Sequence, residues 1–171
     1  LRLSLNITPQ DLAAPGFLQS FLSKLDRSGL APARLTLEIT ESGLMHDVAA
    51  NAAVLDQLRA RDMRVAVDDF GTGYSSLAWL KSLPLDYLKL DQGLTADIMS
   101  DDRGRIIVQA IIAMGQALRL KIVAEGVESE AQLALLAAEG CDHFQGFLRA
   151  PALDAATFRA FAMDALSAPT V

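Results

Sequence analysis

A single cysteine, Cys141, stands in 171 residues, so no intrachain disulfide can staple the chain. Histidine is almost as scarce. His46 and His143 are the whole supply, which makes a histidine-rich zinc centre or a nucleophile triad unpromising and leaves oxygen atoms as the ligands of any metal. No apolar run reaches the length of a membrane span before a charge or a glycine interrupts it, and no charged-then-apolar leader opens the chain. A soluble, cytoplasmic domain with no membrane contact of its own is expected. Positive charge is also short: a net charge of −6 argues against a DNA or RNA polymer or an anionic membrane as partner. A phosphate ligand would need added cations. What remains is an ordinary globular balance, 51% hydrophobic and 21% charged, sufficient for one domain with a core.

The most informative stretch is Arg64 to Leu77, RVAVDDFGTGYSSL. Val65, Ala66 and Val67 form the apolar run of a buried strand, and two adjacent carboxylates, Asp68 and Asp69, follow it directly. Gly71, Thr72 and Gly73 then require a turn in which the backbone can adopt positive φ. Neighbouring carboxylates repel, and a hard divalent cation bound to their oxygens would neutralise them. A structural reading stays open at this point, in which Asp68 ends the strand and Asp69 caps the turn.

The rest of the chain repeats one unit. Leu1, Leu3, Leu5 and Ile7 alternate with Arg2, Ser4, Asn6 and Thr8 as a strand, which Pro9 closes. A helix from about Phe17 carries Phe17, Leu18, Phe21, Leu22 and Leu25 on one face and stops at Gly29. RLTLEIT from Arg34 to Thr40 is the next strand, followed by Glu41 and a helix over 47–61 capped by Asp47, with Val48, Leu55 and Leu58 inward. After the glycine loop, 76–81 predicts a short helix, Pro84 a break, and 87–91 a strand on which Lys89 and Asp91 share a face. A helix over 101–119 places Ile106, Ile107, Ala110, Ile111, Met114 and Leu118 at helical spacing, with Asp101 or Asp102 as cap. The strand KIVAEGVE follows, with Ile122 and Val123 buried and Glu125 and Glu128 at its end. Ser129 and Gln132 have capping-box spacing before a helix ending at Gly140, 143–147 reads as the last strand, and Asp154 caps a final helix with Phe158, Phe161, Met163 and Leu166 available for packing.

Strand and helix alternate through connections too long for hairpins, so a parallel α/β sheet is expected. Polar residues sit at every strand's carboxyl end: Asn6, Glu38 with Glu41, Asp68 with Asp69, Lys89 with Asp91, Glu125 with Glu128, and Gln145. An open doubly wound sheet would draw ligand residues only from strands beside its switch point, whereas a barrel gathers all strand ends on one face. Six contributing strands favour a barrel.

The motifs LNIT at Asn6, LEITES from Leu37, DDFGTGYSSL from Asp68, YLKLD from Tyr87, AEGVES from Ala124 and QGFLRAP from Gln145, in this order, resemble those of the EAL-domain phosphodiesterases that hydrolyse cyclic di-GMP. The resemblance covers nearly the whole chain. It implies a TIM-like (β/α) barrel and metal-dependent cleavage to linear pGpG with Mg2+ or Mn2+, two ions in all. By position it makes Asn6, Glu38 and Asp68 ligands of one ion, and Asp68 a bridge to a second that Asp69 and Glu125 help to hold. Lys89 would contact the attacking water or the phosphate, and Glu125 is also the family's proposed general base. Glu41, Asp91, Glu128 and Gln145 would support the site, Glu41 by steadying the Gly71, Thr72, Gly73 loop. Tyr74 and Phe147 either pack or border a guanine pocket. Taken singly, Asn6 reads equally as a turn residue, Lys89 as a solvated strand-end lysine, and Glu41 and Glu128 as helix-start acids.

One part of the family pattern is absent. The Glu-Ala-Leu motif belongs to a strand before the Asn6 position, along with a further metal-ligand glutamate and an arginine for the phosphate. A TIM barrel takes about 250 residues, so 1–171 is expected to be the C-terminal two thirds of such a domain, with six of eight strands and two open sheet edges. The larger protein would be the active form, and the piece alone inactive. Two other function classes stay in play: a catalytically silent cyclic di-GMP receptor, and a barrel acting on another phosphate ester. By resemblance, a homodimer and sensory or diguanylate-cyclase-type partner domains are expected, with the larger protein free to be membrane-tethered.

Overall fold

The computed structural model describes residues 1–72, 79–96 and 98–167, so the expectations at Gly73, Tyr74, Ser75 and Ser76 lie outside the described residues. Six strands, β1 (Leu3–Asn6), β2 (Leu35–Thr40), β3 (Arg64–Phe70), β4 (Tyr87–Leu90), β5 (Lys121–Ala124) and β6 (His143–Phe144), form one sheet in sequential order, every pair parallel. Sequential parallel pairing with helical returns is the (β/α) pattern, here an incomplete, curled TIM-like barrel.

Alternation along the strands separates two environments. Leu35, Leu37, Ile39, Val65, Val67, Leu88, Leu90, Ile122 and Ala124 face outward and are buried. Covering them are α4 (Val48–Arg59), α6 (Asp102–Ala117) and α7 (Glu130–Glu139), through Leu55, Leu58, Val108, Ile112 and Leu136. The other set, among it Ser4, Thr36, Glu38, Ala66, Tyr87, Lys89, Val123 and Gln145, lines a concave cavity of about 520 Å3. The core therefore lies between sheet and helices, and the hollow of the sheet carries charged and polar groups among apolar ones such as Ala66, Val123 and Phe144. On the edge strand β1, Leu3 and Leu5 are exposed, as an unpaired edge requires.

Helix ends follow their side-chain signals. Asp47 accepts from the Ala50 amide, Asp101 from the Arg103 amide, and Asp154 from the Thr157 amide at the start of α8 (Ala155–Ser167). Ser129 and Gln132 form a complete capping box. In α2 (Phe17–Ser28), Leu18 and Leu25 are buried and Gly29 supplies the left-handed stop.

Several expectations need correction. Pro9 does more than end β1: it opens a short helix, α1 (Pro9–Ala13), with a Thr8–Asp11 capping box. Two further short helices, α3 (Glu41–Met45) and α5 (Gln92–Ala96), follow β2 and β4 directly. The described part of 76–81, from Trp79 onward, is turn, closed by the Ser82 amide donating to the Trp79 carbonyl. The buried stripe of α6 is Val108, Ile112 and Gly115, whereas Ile106 and Ile107 are exposed. Val123 is half-buried because it faces the hollow rather than the helices. The last strand is shorter than 143–147: after Phe144 the chain presses on the backbone of Val127, where a Cβ at Gly146 would collide. On α8, Phe158, Phe161 and Met163 are largely exposed. Leu166 lies where no side chain is described.

Candidate metal centre at the carboxyl rim

Register decides which strand ends meet. Asn6 lies opposite Glu38, Thr40 opposite Asp68, and Lys89 opposite Val123, two residues before Glu125. Partners in register point to the same face, so Glu38, Asp68, Lys89 and Glu125 all face the hollow. Their meeting point is Lys89. Its Nζ lies 2.7 Å from Glu38 Oε2, 2.8 Å from Asp68 Oδ1 and 2.7 Å from Glu125 Oε1. The lysine side chain is only 5% exposed, and the three acids between 11% and 15%.

Adjacent strand residues normally point to opposite faces, so Asp69 should turn away from Asp68. It does not. The β3–β4 ladder shifts register between Val67 and Phe70, and Asp69 takes a left-handed φ of 53°. This bulge re-aims Asp69, and carboxylate oxygens of Asp68, Asp69 and Glu125 come within 4.8 Å of one another. The sequence suggested positive φ at the glycines, yet the decisive residue is an aspartate, for which the left-handed region is less costly than for most residues. Gly71 is also left-handed, at φ 102°, and a Cβ there would lie 2.6 Å from Leu94 Cδ1. Thr72 closes the turn by donating its amide and hydroxyl hydrogens to the Asp69 carbonyl.

The charges are unbalanced. Burial by itself would pull Lys89 down, but hydrogen bonds to Asp68, Glu125 and Glu38 outweigh it and hold the ammonium above the ordinary lysine range. Glu125 also rises above its ordinary value, first because it is buried. An isolated ion pair would push the two partners apart. Here Lys89 does lower Glu125, but burial and the charges of Asp68 and Glu38 prevail. Asp69 is raised for similar reasons, burial first, then Asp68 and Asp91. One ammonium is thus shared among more anions than it can neutralise. Hard oxygen donors, close spacing and surplus negative charge together fit a hard divalent cation.

The remaining expected residues divide. Glu41, 3% exposed, accepts from the Gly71 amide at 3.2 Å and so holds the start of the glycine turn. Gln145 borders both the hollow and a second cavity of about 390 Å3, shared with Glu125, Glu128 and Phe147. Phe147 is 70% exposed and lines that second cavity, so of its two readings packing is not the one observed. Asn6 stands at the exposed edge beside Glu38. Asp91 is not simply a rim acid sharing a face with Lys89: it lies beyond β4 and accepts from the Gly93 amide at 2.8 Å, capping α5. Two buried polar residues escaped the sequence reading as parts of the site. Thr95 and Gln132 lie beneath Glu125, on α5 and α7.

The EAL domain family matches residues 1–152. The chain belongs to the EAL family. The bifunctional diguanylate cyclase/cyclic di-GMP phosphodiesterase MucR of Pseudomonas aeruginosa is 45% identical over 146 residues, 85% of this chain and 21% of MucR. The solved PaMucR phosphodiesterase–c-di-GMP complex superposes with a TM-score of 0.87 at 43% identity, over 92% of this EAL chain and 64% of that one. A manganese/cy-diGMP complex of Klebsiella pneumoniae BlrP1 gives a TM-score of 0.80 at 32% identity, over 88% and 38% of the two chains. The present EAL chain thus spans about a fifth of the length of this curated relative. Among its described residues, no helix is long and apolar enough to cross a membrane.

Proposed function

We propose that this chain is the C-terminal two thirds of an EAL domain that hydrolyses cyclic di-GMP to linear pGpG, using two Mg2+ or Mn2+ ions. Asn6, Glu38 and Asp68 would hold one ion, and Asp68, Asp69 and Glu125 the other. Bound there, the cations would polarise the scissile phosphate and lower the pKa of a nearby water. Glu125, whose carboxylate lies 2.7 Å from the Lys89 ammonium and close to the Asp68 and Asp69 oxygens, is placed to accept a proton from that water. Lys89 keeps its charge, and its ammonium, at the meeting point of the three carboxylates, would orient the water or a non-bridging phosphate oxygen. Glu41 steadies the glycine turn, while Gln145 and Glu128 border the groove in which the substrate would lie.

The observation that carries this reading is the sharing of Lys89 by Glu38, Asp68 and Glu125, with Asp69 turned toward the same point by a bulge. A binding-only module has no need of so costly a concentration of buried charge. The reading extends to a cytoplasmic setting, a homodimer, and sensory or cyclase domains in the same polypeptide. The test is to incubate the full-length protein with cyclic di-GMP and Mn2+ and follow pGpG. Turnover that disappears with chelator supports hydrolysis. Tight binding without turnover would replace it with a receptor function.

A further inference from the structure

Glu125 is held from below by residues that the mechanism does not use. Thr95, fully buried on α5, donates its hydroxyl hydrogen to the Glu125 main-chain carbonyl, and lies 3.1 Å from the Gln92 carbonyl as well. Gln132, 9% exposed in the first turn of α7, joins three pieces of chain. Its Oε1 accepts from the Glu128 amide at 2.9 Å and the Ser129 amide at 3.0 Å. Its Nε2 donates to the Thr95 and Ala96 carbonyls, each at 3.4 Å. Between these ties Gly126 takes φ 65°, and a Cβ there would lie 2.6 Å from Gln92 Cβ, so the turn after β5 is pressed onto α5. On the other side, the Glu125 amide donates to the Leu90 carbonyl at 3.1 Å.

Resting on the catalytic reading above, we propose that Thr95, backed by Gln132, is a positioning residue. It fixes the Glu125 main chain against α5, and thereby the distance between the Glu125 carboxylate and the Lys89 and Asp68 groups. The connection is short. Lys89 and Asp91 flank the residue at which β4 gives way to α5, so a carbonyl bound to α5 is referenced to the same strand that carries the ammonium. A five-residue helix has little rigidity of its own, and the Gln132 amide supplies it by tying the carboxyl end of α5 to the amino end of α7. A carboxylate that must both hold a cation and accept a proton tolerates little displacement, because misplacement by about 1 Å can cost a hundredfold in rate.

Thr95→Val keeps volume and burial but removes the donor, and Thr95→Ser keeps the donor. In the full-length protein, Mn2+ affinity is measured by calorimetric titration, and kcat and KM on cyclic di-GMP are measured well below the melting temperature. Thr95→Val is expected to weaken Mn2+ binding about tenfold and lower kcat about tenfold, with KM changed less than about twofold. Thr95→Ser should stay within about twofold of wild type in both. Gln132→Met, which leaves the hydroxyl in place but cuts its backing, should shift both in the same direction by less. If Thr95→Val lowers only the melting temperature, or if Thr95→Ser fails to restore affinity and kcat, the positioning role is overturned. A wild type that binds Mn2+ without turnover refutes the catalytic reading while the affinity series still decides the brace. A wild type that takes up no Mn2+ refutes both.

Discussion

The two ends of the strands use the same residue types to opposite effect. At the amino ends Asp86 and Asp142 are matched. Asp86 accepts from Arg59 and Arg64 at 3.1 and 3.0 Å and from the Val65 amide, and Asp142 accepts from Lys121 at 2.6 Å and from the Ile122 amide. At the carboxyl ends Glu38, Asp68 and Glu125 crowd one lysine, with Asp69 beside them. The acidities record the contrast. Burial would raise Asp142, but its bonds to Lys121 and Ile122 prevail and hold it below the ordinary carboxylate range, whereas Glu125 and Asp69 lie above it. Satisfied acids at one end start the strands, and crowded acids at the other are left in want of a cation.

The largest expected effect separates function from stability at the crowded end. Glu125→Gln should lower kcat about a thousandfold, within the range for removing a general base, while the melting temperature does not fall. Activity assays and thermal melts on one preparation check both halves. A variant that keeps most of its kcat removes Glu125 from the chemistry. Next in size, Lys89→Met leaves three buried carboxylates without their shared ammonium, and should cost roughly 3 kcal/mol without added metal. Mn2+ should then raise the melting temperature more in the variant than in wild type. Equal melting of the two metal-free proteins would mean that Lys89 does not hold the acids together.

How much of this contrast can be read from the chain alone depends on whether the signal is local. Strands, their order and the caps at Asp47, Asp101, Ser129 and Asp154 follow from alternation and side-chain chemistry within a few residues. The buried face of α6 does not, because apolar residues lie on most sides of that helix. Its choice is made at Gly115, where a side chain would strike Ile122 on β5. That Asp91 also caps a helix is not legible in sequence, because that helix is only five residues long, too short to show periodicity. For the site, motif order supplies the residues but not their hub. That Lys89 touches acids from three other strands depends on the curl of the sheet, and the turning of Asp69 depends on a bulge that no residue type announces.

A smaller effect is expected at the matched end. Asp86→Ala removes the acceptor of two arginines and of the Val65 amide, and should cost about 2 kcal/mol while leaving kcat within about twofold. Denaturant titration beside an activity assay measures both. A large loss of kcat in molecules that remain folded would mean that the amino end is coupled to the chemistry, and the contrast between the two ends would fail.

The smallest and most discriminating effect is in pH dependence, where the two ends should have opposite signs. Asp142 is more acidic folded than unfolded, so the unfolded chain takes up its proton first on acidification. Its contribution to stability is therefore present above its ordinary value of 3.8 and lost as pH falls through the lower folded value. Glu125 is less acidic folded than unfolded, so its contribution favours the fold at low pH and is lost as pH rises from its ordinary 4.5 through the higher folded value. In metal-free protein, Asp142→Asn should flatten the fall in melting temperature that sets in below about pH 4, and Glu125→Gln should flatten the loss that sets in above about pH 4.5. If both variants shift the profile in the same direction, the acids at the two ends share one electrostatic environment. The surplus charge at the carboxyl rim would then no longer be a reason to place a cation there.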